Sequence, residues 1–134
     1  MDDCVFCKII KDEIKSWKVY EDEYVLAFLD INPVSEYHTL VIPKKHFHNI
    51  FDIPEDELLK VMVAVKRITD LFNHKLGIQN VQIISSSGNE AQQDVPHIHF
   101  HIVPRKQGDN QDIKWITHKD LQAKFDKLLQ KLSF

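Results

Sequence analysis

Glycine is nearly missing from this chain, with 3 residues in 134. So few glycines nearly exclude a Walker-type or Gly-x-Gly-x-x-Gly phosphate loop, and neither pattern occurs. No divalent metal is therefore implied for catalysis. Cysteine is as scarce: only Cys4 and Cys7 are present. Two cysteines three apart make a poor staple, so no disulfide framework is indicated. Reduced thiols at metal-ligand spacing suit a cytosolic protein better. No apolar run approaches the length of a membrane span. The acidic start, Asp2 and Asp3, lacks the basic-then-apolar order of a signal peptide. These absences lead us to expect a cytoplasmic protein with no membrane partner. The net charge of -3, with lysines spread along the chain, gives no nucleic-acid footprint. The pair Lys44-Lys45 reads as a solvated turn. Repeats, low-complexity tracts and long linkers are also lacking. The chain is thus one domain, large enough to bury a core.

What the chain does have is histidine, 8 in all. Three alternate with apolar residues in His97-Ile98-His99-Phe100-His101-Ile102-Val103. In a strand, alternate side chains share one face and sit roughly 6.5–7 Å apart. His97, His99 and His101 then line one face, and Ile98, Phe100 and Ile102 the other. A lone histidine on a strand is usually a surface or satisfied residue. Three in strict alternation, opposed by β-branched and aromatic residues, can grip a metal, or a phosphate plus its attacking nucleophile.

The remaining pattern predicts an α+β fold with a mostly antiparallel five-stranded sheet, one long central helix and a C-terminal helix. Residues 5–11 read as a short helix or turn. Strands are expected at Trp17–Tyr20, Tyr24–Ile31, His38–Pro43, Val81–Ser85 and His97–Val103. A helix follows Pro54, which suits a first-turn position, and stops at Gly77. Leu58, Met62, Val65, Thr69, Phe72 and Leu76 form its expected core stripe. Ser86–Val95 is a polar loop. A last amphipathic helix starts near Thr117 and carries Leu121, Phe125, Leu128, Leu129 and Leu132. It is expected to pack, as part of a 106–134 extension, on a 4–105 domain.

The CxxC pair offers two thiolates in zinc-ligand geometry, and structural zinc wants four ligands. Ordinary thiols are the bland alternative. A thioredoxin-like motif fits less well, because no strand precedes Cys4.

The histidine strand resembles the signature of the histidine triad (HIT) family, His-x-His-x-His-x-x with x apolar. Cys4–Ile10, Tyr24–Asp30 and His38–His46 are similar to other parts of that family's pattern. Within that family the chain resembles the zinc-containing bacterial-type branch close to the histidine triad nucleotide-binding (phosphoramidase) proteins. That resemblance implies one structural zinc on Cys4, Cys7, His46 and His97. It implies His99 as nucleophile, His101 beside it on the phosphate, and His38 as an additional active-site histidine. Asp30 matches the ribose ligand. Phe6, Ile10, Phe28, Leu29 and Ile31 become candidates to hold the base, although core packing is the better account of such apolar residues one by one, and Asp30 is the stronger candidate. The phosphate loop falls on Ser86–Val95, with Ser86, Gln92, Gln93 and Asp94 as candidate contacts. Two positions depart from the pattern: Gln92 stands where glycine is frequent, and Asp94 where serine or threonine is frequent. Asp94 either lies beside the leaving group or points away and ends the loop. A homodimer is also implied, joined through the long helix and an edge strand.

The expected activity is hydrolysis at the α-phosphate of purine nucleoside 5′-phosphoramidates or adenylylated amines, through a nucleotidyl-histidine, releasing AMP. Val103–Asp109 also resembles the ending of the dinucleoside polyphosphate hydrolases, which makes those substrates the alternative. A non-catalytic purine-nucleotide sensor and a metalloenzyme with the triad as its metal site remain open.

Overall fold

The computed structural model describes residues 3–133. Five strands form one sheet in the order β1-β2-β3-β5-β4. They are β1 Lys18–Glu21, β2 Val25–Leu29, β3 Thr39–Pro43, β4 Val81–Ile84 and β5 Phe100–Pro104. Every pairing is antiparallel. The short helix α1 spans Val5–Ile10, the long helix α2 spans Glu55–Leu76, and α3 spans Phe125–Gln130. The expected α+β architecture is present.

Side-chain alternation divides the sheet into two buried faces. Val25, Ala27, Val41, Phe100 and Ile102 meet Val61, Ala64, Val65, Ile68 and Phe72 of α2. Leu26, Phe28, Leu40 and Ile42 point the other way, onto Phe6 and Ile9 of α1. Both faces are dry, so the central strands read as continuous apolar runs.

Helix α2 begins at an extended N-cap, Pro54, rather than with proline in its first turn. Glu55, Asp56 and Glu57 follow and complement the helix dipole. It ends at Gly77, whose φ of 69° is left-handed, as a C-terminal glycine allows. The buried stripe differs from the expected one. Val61, Ala64 and Ile68 join Val65 and Phe72 in the core, while Met62 and Leu76 are exposed. The helix is apolar on more than one face, so spacing alone did not choose the inner one.

The histidine strand is also shorter than expected. Regular pairing starts at Phe100, so only His101 of the three lies in β5. His97 lies at a bend, its N–H donating to the Val95 carbonyl at 2.8 Å, and the next residue is held by a different contact, Ile98 N–H donating to the Phe47 carbonyl at 2.8 Å. Alternation survives the change: Ile98 is buried with the α2-side core. The C-terminal helix is split into a 3-10 turn, Lys119–Lys124, and α3. Leu121, Phe125, Leu128, Leu129 and Leu132 are exposed in the single chain, not closed onto the domain as expected. Trp115 and Ile116 are each 85% exposed on the same extension.

Candidate active site and metal centre

The α1 face of the sheet carries two clusters, one at each end of the 97–101 segment. In the first, Cys4 Sγ lies 3.5 Å from His97 Nδ1, and Cys7 Sγ lies 3.4 Å from His46 Nδ1 and 3.6 Å from His97 Nδ1. The four donor atoms all fall within 4.8 Å of one another and could hold a metal ion. Cys4 caps α1, its sulfur accepting from Cys7 N–H at 3.4 Å, which turns both thiols to one side. His97 donates from Nε2 to the Pro43 carbonyl at 2.9 Å. That bond leaves the Nδ1 lone pair toward the sulfurs, the outer-shell arrangement that orients ligating imidazoles. Burial, with Cys4 beside it, pushes the Cys7 thiol up to about 11. A coordinated cation is what turns such thiols into thiolates.

The second cluster is built from His99, His101, His38 and Asp30. His99 donates from Nδ1 to the His97 carbonyl at 2.9 Å. Its Nε2 is then an unprotonated nitrogen in the neutral imidazole. His38 accepts Val34 N–H at Nδ1, 3.1 Å, so its proton sits on Nε2. That nitrogen is 2.9 Å from His101 Nδ1, which therefore accepts and leaves His101 with an Nε2–H donor. Burial lowers both His38 and His101 below the usual imidazole range. For His101 the neighbouring His99 and His38 add to the effect, and Asp30 and Asp94 oppose it. Each backbone contact thus selects one tautomer: a bare nitrogen on His99 and a donor on His101. Asp30, His38 and His101 also bring donor atoms within 4.8 Å of one another. The Val34 contact makes this a hydrogen-bonded relay, because His38 Nε2 carries a proton where a metal would need a lone pair.

A cavity of about 280 Å³ opens onto His99 and His101. Of the residues expected at the site, Phe6, Phe28, Leu29, Asp30, Ile31 and Asp94 line it. Phe6 sets its ring edge-on to Phe28 and His99, with centroids 5.6 and 5.2 Å away. Asp30 is anchored by Asn32 N–H at 2.8 Å, and its second oxygen lies 3.5 Å from His38 Nε2. Asp94 is largely exposed but reaches the cavity mouth: its Oδ1 is 3.3 Å from His99 Nε2, a contact that is an ion pair only when that ring is protonated.

Four expected contacts are placed elsewhere. Ile10 packs in the α1-side core outside the cavity, and its neighbour Ile9 lines it. Ser86 does not line the cavity. Gln93 has a fully engaged amide. Its Nε2 donates to the His48 and Val95 carbonyls at 2.7 and 3.0 Å. Its Oε1 accepts Gly88 N–H at 2.9 Å and Asn49 Nδ2–H at 3.3 Å. The residue staples its loop and has no donor left for phosphate. Gln92 is exposed with φ of 70°, the backbone region in which glycine is at ease. Leu40, Val95 and the Ile14–Ser16 loop also line the cavity. Leu40 was reachable from strand alternation; the loop carried no signal.

A histidine-bearing sheet face, an imidazole nitrogen and a carboxylate thus meet at one cavity. The HIT domain profile matches residues 11–108, and the chain belongs to the HIT family. A HIT-like protein of Methanocaldococcus jannaschii is 44% identical over 96% of this chain and 98% of its own. Adenosine 5′-monophosphoramidase HNT1 of Saccharomyces cerevisiae is 45% identical over 77% of this chain and 63% of its own. A Zn-bound histidine triad family protein from Mycobacterium smegmatis superposes with a TM-score of 0.78 at 32% identity, covering 97% of this chain and 98% of that one. Membership and these relatives support a nucleotide hydrolase. No described helix is long and apolar enough to cross a membrane.

Burial pushes His97 down from 6.5 to about 4. In metal-free protein the unfolded chain therefore takes up a proton that the folded chain refuses. The resulting stability is full above pH 6.5 and is lost as pH falls toward 4. The loss is on the order of 3 kcal/mol. The urea midpoint of chelator-treated protein should drop between pH 7 and pH 4, and drop less in His97→Gln. Equal drops in the two proteins would assign the effect to other groups.

Proposed function

We propose that this chain hydrolyses purine nucleoside 5′-phosphoramidates or adenylylated amines at the α-phosphate, releasing AMP. The observation that carries this reading is the bare Nε2 of His99 at the wall of a cavity that also holds Asp30. A neutral imidazole is nucleophilic near neutral pH. Attack of Nε2 on phosphorus forms nucleotidyl-His99 as the P–N bond breaks, the nitrogen leaving as the amine with a proton taken from solvent; water then attacks phosphorus, breaks the P–Nε2 bond, and gives AMP and the neutral imidazole again. The His101 Nε2–H donor is positioned for a non-bridging phosphate oxygen, where charge grows in the transition state. Asp30 can accept hydrogen bonds from both ribose hydroxyls. Phe6, Phe28, Leu29 and Ile31 offer apolar surface to a base. Binding alone would not need a nucleophile, which disfavours a pure sensor.

Dinucleoside polyphosphates are the poorer fit. Arg105, in the segment that resembles that branch, is held bidentate by Asp109 at 2.7 and 2.8 Å. Asp112 takes the same guanidinium at 2.6 Å. The residue is a strut for the chain after β5, and it does not line the site cavity.

His99→Ala should abolish turnover while the protein stays folded and still binds AMP. Rapid acid-free quenching of wild type should trap a nucleotidyl group that is acid-labile and base-stable. Near-normal activity in His99→Ala would sink the mechanism.

We assign one structural zinc to Cys4, Cys7, His46 and His97. Zinc bonds of about 2.3 Å to sulfur and 2.0–2.1 Å to nitrogen, at tetrahedral angles, set sulfur and nitrogen about 3.5 Å apart. The observed spacings of 3.4–3.6 Å match that edge. Four protein ligands leave no position for substrate, so the zinc would hold α1 to the sheet and take no part in hydrolysis. Elemental analysis should find about one zinc per chain. Serine at both cysteines should lower Tm more than it lowers activity in the cold. Freshly purified protein without zinc would remove this assignment and leave the hydrolase reading standing.

We further propose a homodimer. Leu59, Met62 and Val63 are exposed on α2, and Ile83 on the edge strand β4. Exposed apolar residues on a helix and an open strand edge suit burial by a second copy. Light scattering at micromolar concentration should give twice the chain mass; a monomer there would refute the pairing.

A further inference from the structure

We infer that Asp94 selects the leaving group, favouring substrates whose departing amine carries a positive charge and discriminating against anionic ones. The inference rests on the hydrolase reading above. Asp94 ends the polar loop before the histidine segment, and its Oδ1 accepts the Val95 N–H at 2.9 Å. The same oxygen lies 3.3 Å from His99 Nε2, although the side chain is 76% exposed. It stands between two cavities. One holds Asp30, His99 and His101; the other, also about 280 Å³, is lined by Asp3, Val5, His46, His48, Asp94 and Val95. Val5, Asp94 and Val95 belong to both.

A nucleotide with its ribose at Asp30 and its α-phosphate at His99 and His101 fills the first cavity. The remaining phosphate substituent then passes Asp94 into the second. Asp3 and Asp94 border that space and His48 is its basic side chain; Cys4 and His46, which also line it, belong to the metal-ligand cluster. Lys15 lines only the first cavity, where its Nζ lies 5.0 Å from the centre of the Trp17 ring. A carboxylate on the exit path attracts an ammonium and repels a phosphate or carboxylate, and repulsion of the wrong group is an effective source of specificity.

The test keeps the scissile bond constant. AMP is joined through a P–N bond to 1,4-diaminobutane, butylamine or 4-aminobutyrate, whose far ends are cationic, neutral and anionic. Wild type should rank them in that order by kcat/KM, with at least a tenfold spread between the extremes. Asp94→Asn should bring the three within about twofold of one another. Raising ionic strength should shrink the wild-type spread, because exposed charges are screened; that arm needs no variant. A spread that survives both Asp94→Asn and salt, or no spread in wild type, overturns the inference and leaves the hydrolase reading intact. Failure of wild type to cleave any of the three sinks the hydrolase reading and this inference with it.

Discussion

The molecule depends on one stretch, residues 97–102, being apolar on one side and imidazole on the other. Ile98, Phe100 and Ile102 lie in the α2-side core, essentially out of water. Burying side chains of that size contributes roughly 1.5–3 kcal/mol each. A one-residue slip would turn all three onto the α1 face and push the imidazoles into the apolar α2-side core. The register of the histidines is therefore held by hydrophobic burial on the opposite face. That force has nothing to do with the chemistry, and this is why it can position the chemistry firmly.

Positioning alone would not make a nucleophile. Three uncharged imidazoles in a row have several proton arrangements, and only some leave a lone pair facing substrate. Backbone groups remove the choice. The Pro43 carbonyl takes the His97 proton, the His97 carbonyl takes the His99 proton, and Val34 N–H occupies the His38 lone pair. Each contact costs no side-chain entropy on the backbone partner. Together they leave a bare nitrogen and a donor next to each other at the cavity wall.

This logic explains which features could be read from the chain and which could not. Alternation of His97, His99 and His101 was visible because strand period is a local property. Cys4 and Cys7 were visible as a pair, but His46 and His97 entered as their partners only through family resemblance, since spacing does not bring residues 39 and 90 positions away. The inner face of α2 was misjudged because its apolar residues run round the helix, and the sheet decides between equals. Gln93 is recognisable as a loop staple only when the His48 and Val95 carbonyls are in view. Gln92 shows the reverse case: a glycine-favouring position kept its left-handed backbone with a bulkier residue. The extension after β5 has amphipathic spacing, yet in a single chain that spacing meets no partner.

His97 ties the two clusters together, and it does so with different atoms. Its Nδ1 faces the sulfurs of Cys4 and Cys7, while its carbonyl takes the His99 proton. Anything that moves this residue moves both. Phe6 adds a second link, its ring centre 5.8 Å from that of His97 and 5.2 Å from that of His99. Helix α1 thus forms one wall of the cavity and also backs His99. A metal at this point would take no chemical part in hydrolysis and would serve alignment alone. It would keep His97 from rotating, hold its carbonyl under His99, and press Phe6 against both rings. An apolar core could supply the same fold, but it could not fix an imidazole by its nitrogen and leave its carbonyl free for the next one.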